Sequence, residues 1–147
     1  VEPVAEKRQQ ALDLGADLAL DPMGDWEAQL QQAGITRIDT VIECAGRTDT
    51  MEMAIRMAGN KSLVMLFGLT APNDTISVKP FEIFKKEITL KASFINPYTQ
   101  SRALKLIENK KVDVSSMIYK QIPITELPAV LADKKERGKG KYIVTFD

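Results

Sequence analysis

The chain runs Asp39-Thr40-Val41-Ile42-Glu43-Cys44-Ala45-Gly46, a largely apolar stretch that ends in small residues. A second apolar run, Leu63–Phe67, also ends at a glycine, Gly68. Continuous apolar runs of this length are typical of strands buried on both faces, as in parallel sheets. We therefore predict that both runs are strands of a parallel sheet.

Helical patterns lie around these strands. Pro3 and Gly15 suit the start and the stop of a first helix. Asp25 is placed to cap a second helix, and Thr48 a third whose inward face is Met51, Ala54, Ile55 and Ala58. Leu18–Leu20 predicts a short buried strand between the first two helices. This alternation over residues 1–94 predicts an α/β fold with a doubly wound, Rossmann-like parallel sheet.

The pattern changes after Gly68. Apolar residues alternate with polar ones at Ile76 and Val78, and again from Ile88 to Phe94, which predicts strands with one wetter face near a sheet edge. A helix over 99–109 is predicted to bury Ala103, Leu104 and Ile107, and Thr125 is placed to cap a later helix. Strands are predicted at 119–122 and 142–146. We divide the chain into residues 1–94 and residues 95–147.

Composition limits the possible functions. Twenty basic and twenty acidic residues give a formal charge of zero, without the basic excess of a nucleic-acid partner. No run of eighteen apolar residues exists to cross a membrane. The lone Cys44 permits no internal disulfide and fits a cytoplasmic setting. The lack of histidine removes Ser-His and Cys-His nucleophile pairs and a Cys/His zinc site from these residues.

Candidate binding residues follow from the fold class, because ligands of such sheets sit at the carboxyl ends of the strands. The positions to inspect are Glu2, Asp21, Ala45, Gly46, Gly68 and Leu69. A carboxylate such as Glu2 can accept hydrogen bonds from both ribose hydroxyls of an adenosine and repels a 2′-phosphate, or it can simply be a charge at a helix start. Cys44 is interpreted first as a small core residue, and Glu43 as a support for the following loop rather than a base.

Five segments in order carry a family resemblance. They are Val1-Glu2-Pro3 with Lys7 and Leu14-Gly15-Ala16, then 39–46, Leu66-Phe67-Gly68-Leu69, Ile88–Phe94, and Gly138–Lys141 before 142–146. Together they resemble the second and fourth to sixth strands and the closing segment of medium-chain, zinc-type alcohol and polyol dehydrogenases. The stretch Ser93–Tyr98 is most similar to the sorbitol and threonine dehydrogenase branch.

The resemblance implies that residues 1–94 are part of the dinucleotide-binding domain and that residues 95–147 return to the catalytic domain. It also implies a role for each matched position. Glu2 and Lys7 would hold the adenosine ribose of NAD, and Lys141 its pyrophosphate. The nicotinamide would lie near Gly46, Phe67, Ala92 and Phe94. The cofactor-binding set also includes the neighbouring residues of two strand ends: Cys44, Ala45, Gly68 and Leu69. The parent enzyme would oxidise a secondary, polyol-like alcohol with zinc held by ligands outside this sequence, and would form a homodimer or homotetramer through the edge at 75–79. These residues alone are predicted to be inactive.

The resemblance also has gaps. The family's glycine-rich turn, first strand and zinc-binding part would precede Val1, so the sheet is predicted to be truncated, with a gap of about 14 Å between Leu18–Leu20 and the strand at 39–44. We expect the missing strands to come from residues outside this sequence. Three rival functions stay open: a zinc-free quinone reductase of the same superfamily, a methyltransferase, and a dinucleotide-binding protein without activity.

Overall fold

The computed structural model describes residues 1–95 and 97–146. By its internal contacts the chain divides into two compact units, Val1–Phe94 and Ile95–Asp147. None of the helices in the described residues has the length and apolar character needed to span a membrane.

The first unit contains a parallel sheet of three strands. The strands are β1 (Thr40–Glu43), β2 (Leu63–Leu66) and β3 (Thr89–Ala92), and β2 lies in the centre. In this register Glu43 pairs with Leu66, and Leu66 with Ala92. All three carboxyl ends therefore meet at one edge, which confirms the predicted parallel α/β sheet.

Four helices belong to the first unit: α1 (Ala5–Asp13), α2 (Trp26–Gln32), α3 (Thr48–Met57) and α4 (Pro80–Lys86). The inward face predicted for α3 is confirmed, since Met51, Ala54, Ile55 and Ala58 are all buried. Three of them form the core with Val64 of β2: Ala54, Ile55 and Ala58. The sequence anticipated the α2 cap, because Asp25 accepts a hydrogen bond from Ala28 N at 2.9 Å. The sequence did not anticipate the α3 cap, because Arg47 occupies the cap position and no side chain makes a cap hydrogen bond to this helix.

Other predictions for this unit were wrong. Leu18–Leu20 is not a strand. Leu20 is buried, and Glu2 N donates a hydrogen bond to Leu20 O at 3.0 Å, but this single backbone bond is too little for a strand ladder. β3 has no buried face, as all four of its residues are exposed. The α4 helix was missed, although Pro80 at its first turn and Lys85–Lys86 at its end were usable signals.

Residues 75–79 form neither a strand nor a helix in the described part of the chain, so the prediction of a strand there was wrong. Its alternation is nevertheless real. Ile76 and Val78 are half-buried against the core cluster, and Ser77 N donates to Glu52 Oε1 at 2.8 Å. The apolar side chains thus face their own core, while the backbone lacks a neighbouring strand.

The second unit has a parallel pair of strands, β4 (Ile118–Pro123) and β5 (Lys141–Thr145). Helices α5 (Gln100–Glu108), α6 (Leu127–Ala132) and α7 (Lys134–Arg137) complete it, with short 3-10 turns at Ser115–Met117 and Ile124–Glu126. The inward face predicted for α5 is wrong, because Leu104 and Ile107 stay exposed. Thr125 does not cap α6 either, as it lies inside the preceding 3-10 turn.

Candidate functional site

Two loops cross at the carboxyl ends of β1 and β2. They are the β1 loop, Cys44–Gly46, and the β2 loop, Phe67–Leu69. A Cβ atom added to Gly68 would lie 2.2 Å from Gly46 N, and one added to Gly46 would lie 2.5 Å from Leu69 O. Gly46 also has φ +70°, in the left-handed region where a side chain is strained. Both glycines are therefore required by the close approach of the two backbones.

Glu43, the last residue of β1, connects these loops. Its Oε1 accepts hydrogen bonds from Ala45 N at 2.8 Å, Gly46 N at 2.9 Å and Thr50 Oγ1 at 2.8 Å. Its backbone oxygen accepts from Phe67 N at 2.9 Å and Gly68 N at 2.8 Å. The side chain is buried, at 4% exposure. The interpretation of Glu43 as a support for the loop agrees with these contacts.

The surface beside the crossing is apolar and open. Phe67, Leu69 and Phe94 are 48%, 81% and 75% exposed, a large fraction for side chains of this type. Ala92 ends β3 and is also exposed. The structure thus brings the predicted positions of three strand ends to one edge of the sheet. Exposed apolar groups beside bare backbone suit a flat, partly apolar ligand.

Cys44 lies at this edge too, but not as a core residue. Its side chain is exposed, so the first interpretation of Cys44 was wrong. The strand ends at Glu43, and the chain turns outward at the next residue. Local apolar character could not show this, because it does not tell where the strand stops.

A cleft of about 350 Å³ separates the amino-terminal residues from β1. Val1, Glu2 and Pro3 line one side, and residues 41–45 with Met53 and Met57 line the other. Glu2 therefore lines the same cleft as Cys44 and Ala45. Among the described residues, no backbone hydrogen bond joins 18–20 to 39–44, so the two segments do not close onto each other.

Glu2 is only partly free. Its Oε1 accepts from Val4 N at 2.8 Å, at the start of α1, which is the helix-start role considered as the alternative. Lys7 is exposed and has no partner in the described structure. The neighbouring Arg8 is held instead: it donates to the backbone oxygens of Glu2 and Pro3 at 2.8 Å and pairs with Asp21 at 3.1 Å. Pattern alone did not single out Arg8.

Lys141 opens β5 in the second unit and is exposed, again without a partner among the described residues. Lys139, two residues earlier, is bound to the Glu136 carboxylate and lies 5.4 Å from the centre of the Tyr119 ring. Hydrogen bonding to Lys139 and then to Tyr142 lowers the pKa of Glu136. Desolvation, followed by the hydrogen bond and charge of Glu136, raises the pKa of Tyr142 to about 12. Of the two lysines, Lys141 is thus the one available to an anionic ligand.

No three His, Cys, Asp or Glu side chains group closely enough to hold a metal ion within residues 1–95 and 97–146.

The parallel strands, the glycine crossing and the open apolar edge are those of an α/β protein whose ligands lie at the carboxyl ends of its strands. The sequence profile of the zinc-binding dehydrogenase family matches residues 1–109, about three quarters of the chain. The chain belongs to this family. The parallel pairing of β4 with β5 also argues against the methyltransferase alternative, whose sheet closes with an antiparallel hairpin.

Relatives support the same assignment. D-altritol 5-dehydrogenase of Agrobacterium fabrum is 26% identical over 117 residues, covering 80% of this chain and 33% of that protein. A protein of Sinorhizobium meliloti 1021, assigned as a zinc-binding dehydrogenase and bound to NADP, is 30% identical with a TM-score of 0.87, over 99% of this chain and 44% of its own. An E. coli CFT073 alcohol dehydrogenase in complex with NADH shares the fold at 16% identity and a TM-score of 0.85, over 99% and 43%. The chain spans less than half the length of these proteins.

Proposed function

We propose that this chain forms the cofactor-facing part of a dehydrogenase that transfers a hydride between a secondary, polyol-like alcohol and NAD. The observation that carries the proposal is the crossing of Gly46 with Gly68 at the carboxyl ends of β1 and β2. It leaves bare backbone flanked by exposed apolar side chains, a surface that fits a planar nicotinamide. D-altritol 5-dehydrogenase, a relative with a polyol substrate in its name, favours a polyol over other alcohols.

Bound NAD supplies the hydride acceptor, and the residues of this chain bind and orient it. Residues of the two loops would form one wall beside the nicotinamide: Cys44, Ala45, Gly46, Gly68 and Leu69. Three neighbouring side chains would exclude water from it: Phe67, Ala92 and Phe94. On the adenosine side Glu2 and Lys7 would contact the ribose, and Lys141 would pair with the pyrophosphate. Zinc would be held by ligands outside these residues and would polarise the alcohol oxygen.

A preference for NAD over NADP rests on Glu2. One carboxylate oxygen is used by Val4 N, so the second is the acceptor for a ribose hydroxyl. The S. meliloti relative is bound to NADP, so the choice is tested directly. In the complete protein, Glu2→Ser is expected to reduce the NAD preference about tenfold to a hundredfold, since one charged hydrogen bond is worth about 1.5–3 kcal/mol. Equal kcat/KM with both cofactors before any substitution would contradict it.

Two rivals are separated by the same assays. A zinc-free quinone reductase would reduce quinones with NADPH and keep its rate after treatment with a zinc chelator. A binding protein without activity would bind the dinucleotide but turn over none of a panel of polyols, hydroxy-amino acids and quinones. We expect polyol oxidation that a chelator abolishes. The branch assigned from Ser93–Tyr98 is tested by the same panel; its Asn96 lies outside the described residues.

We also propose a homodimer or homotetramer in the cytoplasm. The backbone at 75–79 has no neighbouring strand in the described chain, and such edges pair readily. Two copies related by a twofold axis would extend one sheet into the next. Sedimentation of the complete protein at micromolar concentration tests this, and a monomer would contradict it.

A further inference from the structure

The Glu43 carboxylate is buried yet makes no ion pair in the described structure. Its Oε1 takes three hydrogen bonds, whereas its Oε2 is buried without a partner among the described residues. A polar oxygen left without a hydrogen-bond partner in a protein interior is unfavourable. A side chain placed at such a cost invites a functional explanation.

The position of Glu43 suggests one. Its backbone oxygen binds the β2 loop through Phe67 N and Gly68 N, while its Oε1 binds the β1 loop through Ala45 N and Gly46 N. Oε2 lies against Gly68, only 2.6 Å from where a Cβ of that residue would be. One residue thus fixes both loops that cross beside the candidate nicotinamide surface.

Thr50 ties this residue to the core. Its hydroxyl donates to Glu43 Oε1 at 2.8 Å and lies 2.9 Å from Arg47 O in the first turn of α3. The same helix buries Ala54 and Ile55 against the sheet. The positions of the two loops are therefore fixed by contacts with a packed helix, and not only by contacts between the loops.

We infer that Glu43 is a positioning residue for the dinucleotide. Its Oε1 holds the backbone of the β1 loop in place, and the β1 loop in turn forms the surface on which the nicotinamide rests. The inference rests on the proposed function. It assigns Glu43 no proton transfer and no contact with substrate. It requires that a change at Glu43 disturb cofactor binding far more than alcohol binding.

The test compares variants of the complete, zinc-loaded protein in steady-state kinetics and in direct titration of NAD. Glu43→Ala removes all three bonds to Oε1 and is expected to raise KM for NAD more than tenfold, with KM for the alcohol unchanged within about twofold. Glu43→Gln keeps an accepting oxygen and should stay within about threefold of the unmodified protein. Thr50→Val, which removes one of the three bonds at nearly constant volume, should lie between them.

The matched control is Ser62→Ala. Ser62 is as buried as Glu43 and its hydroxyl also has no partner among the described residues, but it precedes β2 at the opposite end of the sheet. KM for NAD should not change there. If Glu43→Ala fails to fold, Thr50→Val and Glu43→Gln still decide the matter.

The outcomes separate the two proposals. If the unmodified protein binds neither NAD nor NADP, the proposed function is wrong, and the role of Glu43 fails with it. If it binds NAD but the Glu43 and Thr50 variants lower only the melting temperature, or raise both KM values equally, the proposed function stands and the positioning role alone is overturned.

Discussion

The β1–β2 pair of the first unit and the β4–β5 pair of the second unit are both parallel, but they are supported differently. β2 carries the fully buried Val64, and β4 carries the fully buried Ile122. β1 and β2 are covered by α3, which contributes three residues to a shared core, whereas no residue of α5, α6 or α7 is buried. The loops after β1 and β2 therefore follow strands that are packed against a helix. Lys141, which is proposed to bind the pyrophosphate, is the first residue of β5, a strand held mainly by its pairing with β4.

Under the proposed function, the packed loops after β1 and β2 would bind the nicotinamide, and the less supported β5 would provide the cation for the pyrophosphate. A surface that must accept a planar ring needs loops held within fractions of an ångström, and rigid packing provides this. A single cation on a long side chain can adjust to a phosphate and needs only to be free of other partners. The following experiments test this division, from the largest expected effect to the smallest.

Substitution at the loop crossing should have the largest effect. Gly68→Ala would place a methyl group 2.2 Å from Gly46 N, so the two loops must separate. We expect NAD binding to fall below detection in a calorimetric titration. Gly138→Ala in the second unit is the control, because its added Cβ would make its closest contact at 3.4 Å. Normal binding by Gly68→Ala would show that the crossing does not form the cofactor surface.

Core truncation should distinguish the two strand pairs. Val64→Ala, at the fully buried position of β2, is expected to lower the free energy of unfolding by about 2 kcal/mol. The matched change Val144→Ala, in half-buried β5, should cost less than about 1 kcal/mol. Urea denaturation, with unfolding of each strand monitored by hydrogen exchange, measures the free energy of unfolding of both variants. Equal losses would mean that the two pairs are supported to the same degree.

The free and the bound lysine form a second matched pair. Lys141→Gln should weaken NAD binding about tenfold, the equivalent of roughly 1.4 kcal/mol. Lys139→Gln should have little effect, because the Lys139 ammonium is already bound to Glu136. Titration of NAD at two salt concentrations measures both, and the Lys141 effect should shrink at the higher one. The reverse order of effects would reassign the pyrophosphate contact to Lys139.

The smallest effect is a late tyrosine titration. Desolvation and the Glu136 carboxylate raise the pKa of Tyr142 to about 12, above its ordinary value near 10. The protonated phenol is thus favoured in the folded state; its stabilisation is complete below about pH 10 and is lost as pH rises towards 12. Absorbance of phenolate should show one of the three tyrosines titrating late. In Glu136→Gln this late step should move to lower pH; an unchanged titration would exclude Glu136 as a cause.

Much of the fold follows from local sequence. The apolar runs that become β1 and β2 are recognisable because a buried strand needs little more than consecutive apolar residues with a break at each end. The α3 face was predictable for a similar reason, as helical periodicity places Met51, Ala54, Ile55 and Ala58 on one side. Predictions failed where partners decide the outcome. Leu18–Leu20 has too few neighbours for a ladder, and the apolar face of α5 is left exposed within its own unit.

By itself, the sequence determined the strands β1 and β2, the buried face of α3, the two glycines and a set of motifs similar to a dehydrogenase family. Only the tertiary structure showed that Gly46 and Gly68 touch, that Glu43 bonds both loops, and that Lys139 is bound while Lys141 is free. The physical reason is the range of the interactions. Burial and helix periodicity are properties of neighbouring residues, whereas the contact between Gly46 and Gly68 depends on which strands pair and in what register, and a local pattern does not carry that information.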